Sequence, residues 1–187
     1  RHKKYSALAP LLYRLVSLKA QIVEEDPYEQ GRRVLLNFGH TLGHALEAMS
    51  QKNRQVYLQT ICHGQAVALG MLCAVIISHR LGFLPKKSYE YFVETLVDSG
   101  CLISKIQLQA YFGGVDLESE LCWLQLVSFM QQDKKQNEQS QDCCRWVLLE
   151  DLGRPVRCKK QGYLIAVDHT IVRESWQEML QIICHEV

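Results

Sequence analysis

The chain has 187 residues, enough for one domain with a substantial core, and its 48% hydrophobic and 22% charged residues are those of a globular protein. Its 21 basic and 20 acidic residues leave a formal net charge of +1, without the basic excess that nucleic acid or an anionic membrane surface selects. Eight scattered cysteines without a C-x-x-C pair read as reduced thiols of a cytoplasmic protein, not as a disulfide framework or a Cys-zinc site.

Residues 5–25 place Leu8, Leu11, Leu12, Leu15, Leu18, Ile22 and Val23 at helical spacing. Asp26-Pro27 ends that pattern, because the residue before proline avoids the α region. The chain opens at Arg1 inside the same pattern, so it is expected to be part of a longer protein. After a polar turn at 28–31, a second helix is expected from about Val34 or Asn37 to Met49, with Gly39 and Gly43 four apart on it. Each glycine costs a helix roughly 1 kcal/mol in propensity, so close approach of another backbone or a ligand is the expected reason for the pair.

Residues 51–60 are polar and read as a loop, and 64–81 as a largely buried helix ending at Gly82. The apolar stretch 66–78 is too short to span a bilayer. Cys62, Cys73 and Cys122 sit in apolar runs, where free cysteine acts as a small hydrophobe. A helix over 89–99 follows Pro85, with Gly100 as its C-terminal stop, and further helices are expected around 104–111 and 117–133. Residues 133–142 read as a charged loop. Residues 145–149 are β-like, 163–167 pair with them, and 171–183 form a last helix. The expected fold is mainly α and multi-helical, with at most one short β-hairpin near the C-terminus.

Three of the seven histidines, His40, His44 and His63, lie close in sequence, each near a glycine. His40 and His44 share one helix face, one turn apart, which is how a rigid element presents two imidazoles to a metal ion. No Glu follows His40, so the H-E-x-x-H protease pattern is excluded. Imidazoles beside glycines on a largely buried helix need partners. A metal or an anionic substrate supplies them. Glu47 reads as a surface carboxylate in preference to a partner of the histidines. His2, His79, His169 and His185 read as structural or solvated. Lys19, Arg32-Arg33 and Lys134-Lys135 are the cations available to hold phosphate or carboxylate.

Several stretches together resemble one family. They are Lys19, Glu29-x-Gly31-x-Arg33, the run Leu36-Asn37-Phe38-Gly39-His40-Thr41-Leu42-Gly43-His44-Ala45-Leu46-Glu47-Ala48, and His63-Gly64-Gln65-Ala66-Val67-Ala68-x-Gly70-Met71. Asp133-Lys134-Lys135 and Trp146-Val147-Leu148-Leu149-x-x-Leu152-Gly153 continue the match, in order, over nearly the whole chain. This pattern resembles 3-dehydroquinate synthase, in the sugar-phosphate cyclase group. The resemblance implies a carbon–oxygen lyase of the shikimate pathway and aromatic amino acid biosynthesis. That enzyme converts 3-deoxy-D-arabino-heptulosonate 7-phosphate to 3-dehydroquinate and phosphate with bound NAD and a divalent metal, zinc or alternatively cobalt. It further implies metal ligation by His40 and His63, and substrate contact and proton relay by His44. Lys19, Arg33 and Asn37 would bind substrate carboxylate and hydroxyls, with Lys19 also counted as catalytic, and Lys135 would reach toward the phosphate. The whole enzyme is expected to be a cytoplasmic homodimer.

The chain departs from the family in two places: Gln65 stands where the family usually has Glu, and the interval from His44 to His63 is longer than usual. No G-x-G-x-x-G occurs, and Gly113-Gly114 lacks the strand and third glycine of a dinucleotide site. Residues 1–187 are therefore expected to be a C-terminal metal- and substrate-binding domain. The NAD-binding α/β domain and the family's third metal ligand, a glutamate, would lie upstream, leaving this chain inactive alone. The competing expectations are another cyclase such as 2-deoxy-scyllo-inosose synthase, a metal-dependent polyol dehydrogenase of the same fold, or a non-catalytic helical partner-binding module. Convergence of His40 and His63 on one cleft separates the enzyme readings from the last.

Overall fold

The computed structural model describes residues 8–52, 60–132, 143–159 and 162–185. The chain divides into two compact units, Arg1–Leu36 and Asn37–Val187.

In the first unit, helix α1 spans Ala9–Glu25, with a proline in its first turn, where the missing N–H costs nothing. It ends at Asp26, as the Asp26-Pro27 pair predicts. Leu11, Leu12 and Leu15 are each more than half exposed, so α1 carries an apolar stripe. Asp26 organises the turn after the helix. Its carboxylate accepts the backbone N–H groups of Gln30 at 3.0 Å, Gly31 at 2.7 Å and Arg33 at 3.0 Å. Desolvation pushes the Asp26 pKa up, but these three donors outweigh it and hold the carboxyl below its ordinary value. A 3-10 helix then runs over Arg32–Asn37.

The second unit is built around one buried helix. Helix α2 is His40–Lys52, α3 is His63–Arg80, α4 is Lys86–Asp98, α5 is Lys105–Tyr111, α6 is Glu120–Gln132 and α7 is His169–His185. The interior of α3 is apolar on all sides, and Leu69, Leu72, Cys73, Ile76 and Ile77 are fully buried among α2, α4 and α7. Ser78, also buried, donates to the Ala74 carbonyl at 2.6 Å and accepts the Leu149 N–H at 3.1 Å, so its hydroxyl is satisfied at both ends. Gly100, with φ +65°, follows the end of α4 as expected, and Ser104 caps α5. All eight cysteines are free. Cys73 and Cys122 are buried as small hydrophobes, but Cys62 is exposed, because it caps α3 instead of joining the core.

The β structure is small but not a lone hairpin. Strands β1 (Cys143–Val147) and β4 (Leu164–Asp168) pair antiparallel, as expected for these segments. Between them β2 (Leu149–Asp151) and β3 (Arg154–Pro155) form a tight hairpin around Gly153, where φ is +72°. The one expected pairing is thus two nested pairs. Thr41 ties α2 to this region by donating to the Arg145 carbonyl at 2.9 Å. The expected loop over 133–142 lies wholly outside the described residues. Of the loop expected over 51–60, residues 51 and 52 extend α2 and 53–59 are likewise outside.

One expectation fails where it matters. Gly39 is not inside a helix; it has φ +79° and ends the turn ahead of α2, which begins at His40. Its conformation is one that glycine adopts without strain, so no propensity cost arises there. The reason for the glycines is the backbone of α3. A Cβ on Gly70 would lie 1.8 Å from the Gly39 carbonyl oxygen, and one on Gly39 would lie 2.7 Å from the Met71 backbone nitrogen. A Cβ on Gly43 would press on Ala66 and Val67 at 3.3 Å. Position 39 meets 70, position 43 meets 66 and 67, and the Ile61 N–H meets Ser50, so α2 and α3 run antiparallel.

Gly70→Ala should therefore destabilise the chain at the upper end of, or beyond, the roughly 1–3 kcal/mol of ordinary overpacking, despite alanine's better helix propensity. Gly64, where an added methyl would meet nothing within 4 Å, is the control. Gly64→Ala should be neutral or slightly stabilising in urea unfolding, and equal effects at the two positions would refute the backbone-contact account.

Candidate metal and substrate site

The glycine contact sets where the histidines stand. His40 opens α2, and His44 and Glu47 follow on the same face, one and two turns on. His63 is the first residue of the antiparallel α3. The ring centroids lie 5.3 Å apart for His40 and His44, 5.4 Å for His40 and His63, and 6.4 Å for His44 and His63. His40 and His63 therefore converge, as the enzyme readings require.

His40 and His63 each have one nitrogen committed. His40 Nδ1 lies 3.1 Å from the Phe38 carbonyl oxygen, and His63 Nδ1 lies 3.2 Å from each Glu47 carboxylate oxygen. A carbonyl or carboxylate oxygen brings no proton, so Nδ1 is the donor in both cases. In the neutral rings the lone pair is then on Nε2, the arrangement of an imidazole prepared to ligate a cation. Among the described residues, no group of three or more His, Cys, Asp or Glu side chains is arranged to hold a metal ion. The donor set is thus two imidazoles suited to a metal, which needs a further ligand to complete it.

Electrostatics act in the same direction at His40. Burial lowers its pKa below the ordinary 6.5, and the adjacent His44 and His63 rings lower it further. The Phe38 carbonyl and the Glu47 carboxylate oppose this without cancelling it. A neutral imidazole is the form that ligates.

Gln65 has a definite task. Its side-chain oxygen accepts the Cys62 backbone N–H at 3.3 Å, one arm of a capping box at the start of α3. That task needs an oxygen and not a charge, so Gln serves where the family usually has Glu. Glu47, expected as a surface carboxylate, belongs to the site instead. Its side chain is only 22% exposed and is engaged with His63. The sequence carries a signal for this, since Glu47 is seven residues after His40 and three after His44, on the same helix face.

Of the remaining expected site residues, two belong to the first unit. Lys19 is exposed on α1, and Arg33 lies in the 3-10 helix of the first unit, its Nη1 donating to the Pro27 carbonyl at 2.8 Å. Asn37 opens the second unit. Lys135 lies outside the described residues. Two of the other histidines are structural, as expected: His79 Nδ1 meets the Leu84 carbonyl at 2.9 Å, and His169 Nε2 lies 3.1 Å from Cys144 Sγ. No helix among the described residues is long and apolar enough to cross a membrane.

The fold is that of the sugar-phosphate cyclases. A structure of 2-deoxy-scyllo-inosose synthase complexed with carbaglucose-6-phosphate, NAD+ and Co2+ superposes with a TM-score of 0.64 at 23% identity, covering 92% of this chain and 41% of that one. A second structure of 2-deoxy-scyllo-inosose synthase gives 0.61 at 25% identity, over 87% of this chain and 37% of that one. Residues 1–136 match the family pattern of the 3-dehydroquinate synthase C-terminal domain, and the chain belongs to the 3-dehydroquinate synthase family. The 3-dehydroquinate synthase of Methylacidiphilum infernorum is 37% identical over 158 residues, 84% of this chain and 38% of that protein. That of Legionella pneumophila (strain Corby) is 34% identical over 143 residues, 76% of this chain and 33% of its own length. The chain thus spans about a third of the length of these relatives.

Histidine-selective NMR of the metal-free chain should place the His40 titration midpoint below 6.5. With its folded pKa lowered, His40 contributes stability that is present above 6.5 and lost as pH falls through the folded value. A midpoint at or above 6.5 would contradict the burial argument.

Proposed function

We propose that this chain is the C-terminal, metal- and substrate-binding domain of a 3-dehydroquinate synthase. The whole enzyme would convert 3-deoxy-D-arabino-heptulosonate 7-phosphate to 3-dehydroquinate and phosphate, in the cytoplasm and as a homodimer. The observation that carries this reading is the convergence of His40, His44 and His63, with Nδ1 of the first and last each held by an oxygen acceptor. NAD would be held mainly by residues outside this chain. The exposed apolar stripe of α1 is the kind of surface an adjoining domain covers, in line with a chain that is one part of a longer enzyme.

His40 and His63 would hold the divalent metal, zinc or cobalt, through Nε2, with a third donor from outside the chain. Such a metal supplies Lewis acidity that polarises substrate oxygens for hydride transfer. The chain's own residues do the rest. His44, beside both ligands, contacts the substrate and moves a proton at a substrate oxygen. Lys19, Arg33 and Asn37 orient the carboxylate and hydroxyls, and Lys135 meets the phosphate; fixed cations of this kind hold a multiply charged substrate in one pose.

A second reading is a related cyclase, since the structural neighbours are 2-deoxy-scyllo-inosose synthases. Higher sequence identity to dehydroquinate synthases favours the first. Assaying the intact enzyme with each sugar phosphate decides between them.

The 187-residue chain by itself should give no detectable 3-dehydroquinate and should bind zinc weakly, with His40→Ala and His63→Ala each weakening it further. Turnover by the isolated chain, or tight stoichiometric zinc in calorimetry, would overturn the incomplete-site account.

A further inference from the structure

The contact between Glu47 and His63 joins two helices across the site. Glu47 sits in the second half of α2 and His63 at the start of α3, 16 residues apart, and both carboxylate oxygens lie 3.2 Å from the same ring nitrogen. The His63 side chain is 59% exposed. An ion pair or hydrogen bond so open to water adds little to stability. Its consequence is orientational. An exposed imidazole at a helix end otherwise rotates and carries its proton on either nitrogen, and only one of those states offers a lone pair on Nε2.

We propose that Glu47 is a positioning residue for His63. Its carboxylate accepts the Nδ1–H, restrains the ring against rotation and fixes the tautomer whose lone pair is on Nε2. His40 obtains the same tautomer from a backbone carbonyl two residues before it, which no side-chain substitution removes. His63 has a side-chain acceptor, so this half of the site is the half that mutation can detune. The consequence for metal binding rests on His63 being a ligand, as the proposed function has it; the tautomer itself does not.

The test is made on the 187-residue chain with zinc as the probe. Long-range imidazole 15N correlations, recorded at pH about 8 where an ordinary histidine is neutral, report which nitrogen of His63 carries the proton without any metal. Zinc titration followed on the same resonances reads weak affinities. In the wild type, His63 should be protonated at Nδ1. Glu47→Ala should redistribute the proton toward Nε2 and weaken zinc binding about 10–100-fold, the range for loss of a partner that orients a ligating histidine. Glu47→Gln, nearly isosteric, keeps an oxygen acceptor but loses the charge. It should fall between the two, and it keeps the test decisive if the alanine variant does not fold.

The outcomes separate. If His63 in the wild type is protonated at Nε2, or stays protonated at Nδ1 in both variants, Glu47 does not position it. If His63→Ala weakens zinc binding while both Glu47 variants bind as the wild type does, Glu47 has no role in metal binding although the ligand assignment stands. If His63→Ala binds zinc as tightly as the wild type, the metal reading of the site fails, and the proposed role of Glu47 in ligation fails with it.

Discussion

Backbone-to-backbone contact between α2 and α3 is the constraint on which the candidate site depends. Helices that meet through ordinary side chains keep their axes about 8–10 Å apart. Here Gly39, Gly43 and Gly70 remove the side chains from the seam, and the space a Gly70 methyl would need is occupied by the Gly39 carbonyl oxygen. That closeness lets a histidine at the start of α3 reach the rings of two histidines on α2. Any residue larger than glycine at position 70 would push the helices apart and separate the imidazoles with them. The glycines and histidines of these two segments are therefore one structural unit, although the family pattern presents them as separate short motifs.

The rings at this junction are prepared in different ways. His40 is held by a carbonyl in its own turn and made less basic by burial and by its neighbours. His63 is exposed and is held by a carboxylate from the opposite helix. At the same helix end, Gln65 caps the backbone and leaves His63 to its other partner. The interaction made there is with a neutral backbone N–H, for which the uncharged oxygen of Gln65 is sufficient.

Much of the fold is legible from periodicity and punctuation. The helices around 64–81, 89–99 and 104–111 appear within a residue or a few of their expected bounds, because apolar spacing, proline and glycine act over a single turn. Gly39 escapes such reading for the complementary reason. A glycine with positive φ and a helical glycine look alike in sequence, and only the neighbouring backbone at Met71 and Gly70 tells them apart. The nested β2–β3 pair escapes it because strands of two or three residues carry too little alternation to register. Glu47 reads as a surface residue because charged side chains usually are solvated, and its partner lies 16 residues away on another helix.

Apolar residues at short, regular spacing are enough to establish the helical character of the chain, and the motifs around the three histidines carry the resemblance to the family. They also establish that two imidazoles at positions four apart share a face. Which residues stand beside those imidazoles is a matter of how the elements pack. The approach of α2 to α3 selects Glu47 as the partner of His63, turns Gly70 into a contact point and converts separate motifs into one cluster. Those relations depend on distances between elements, which local spacing does not encode.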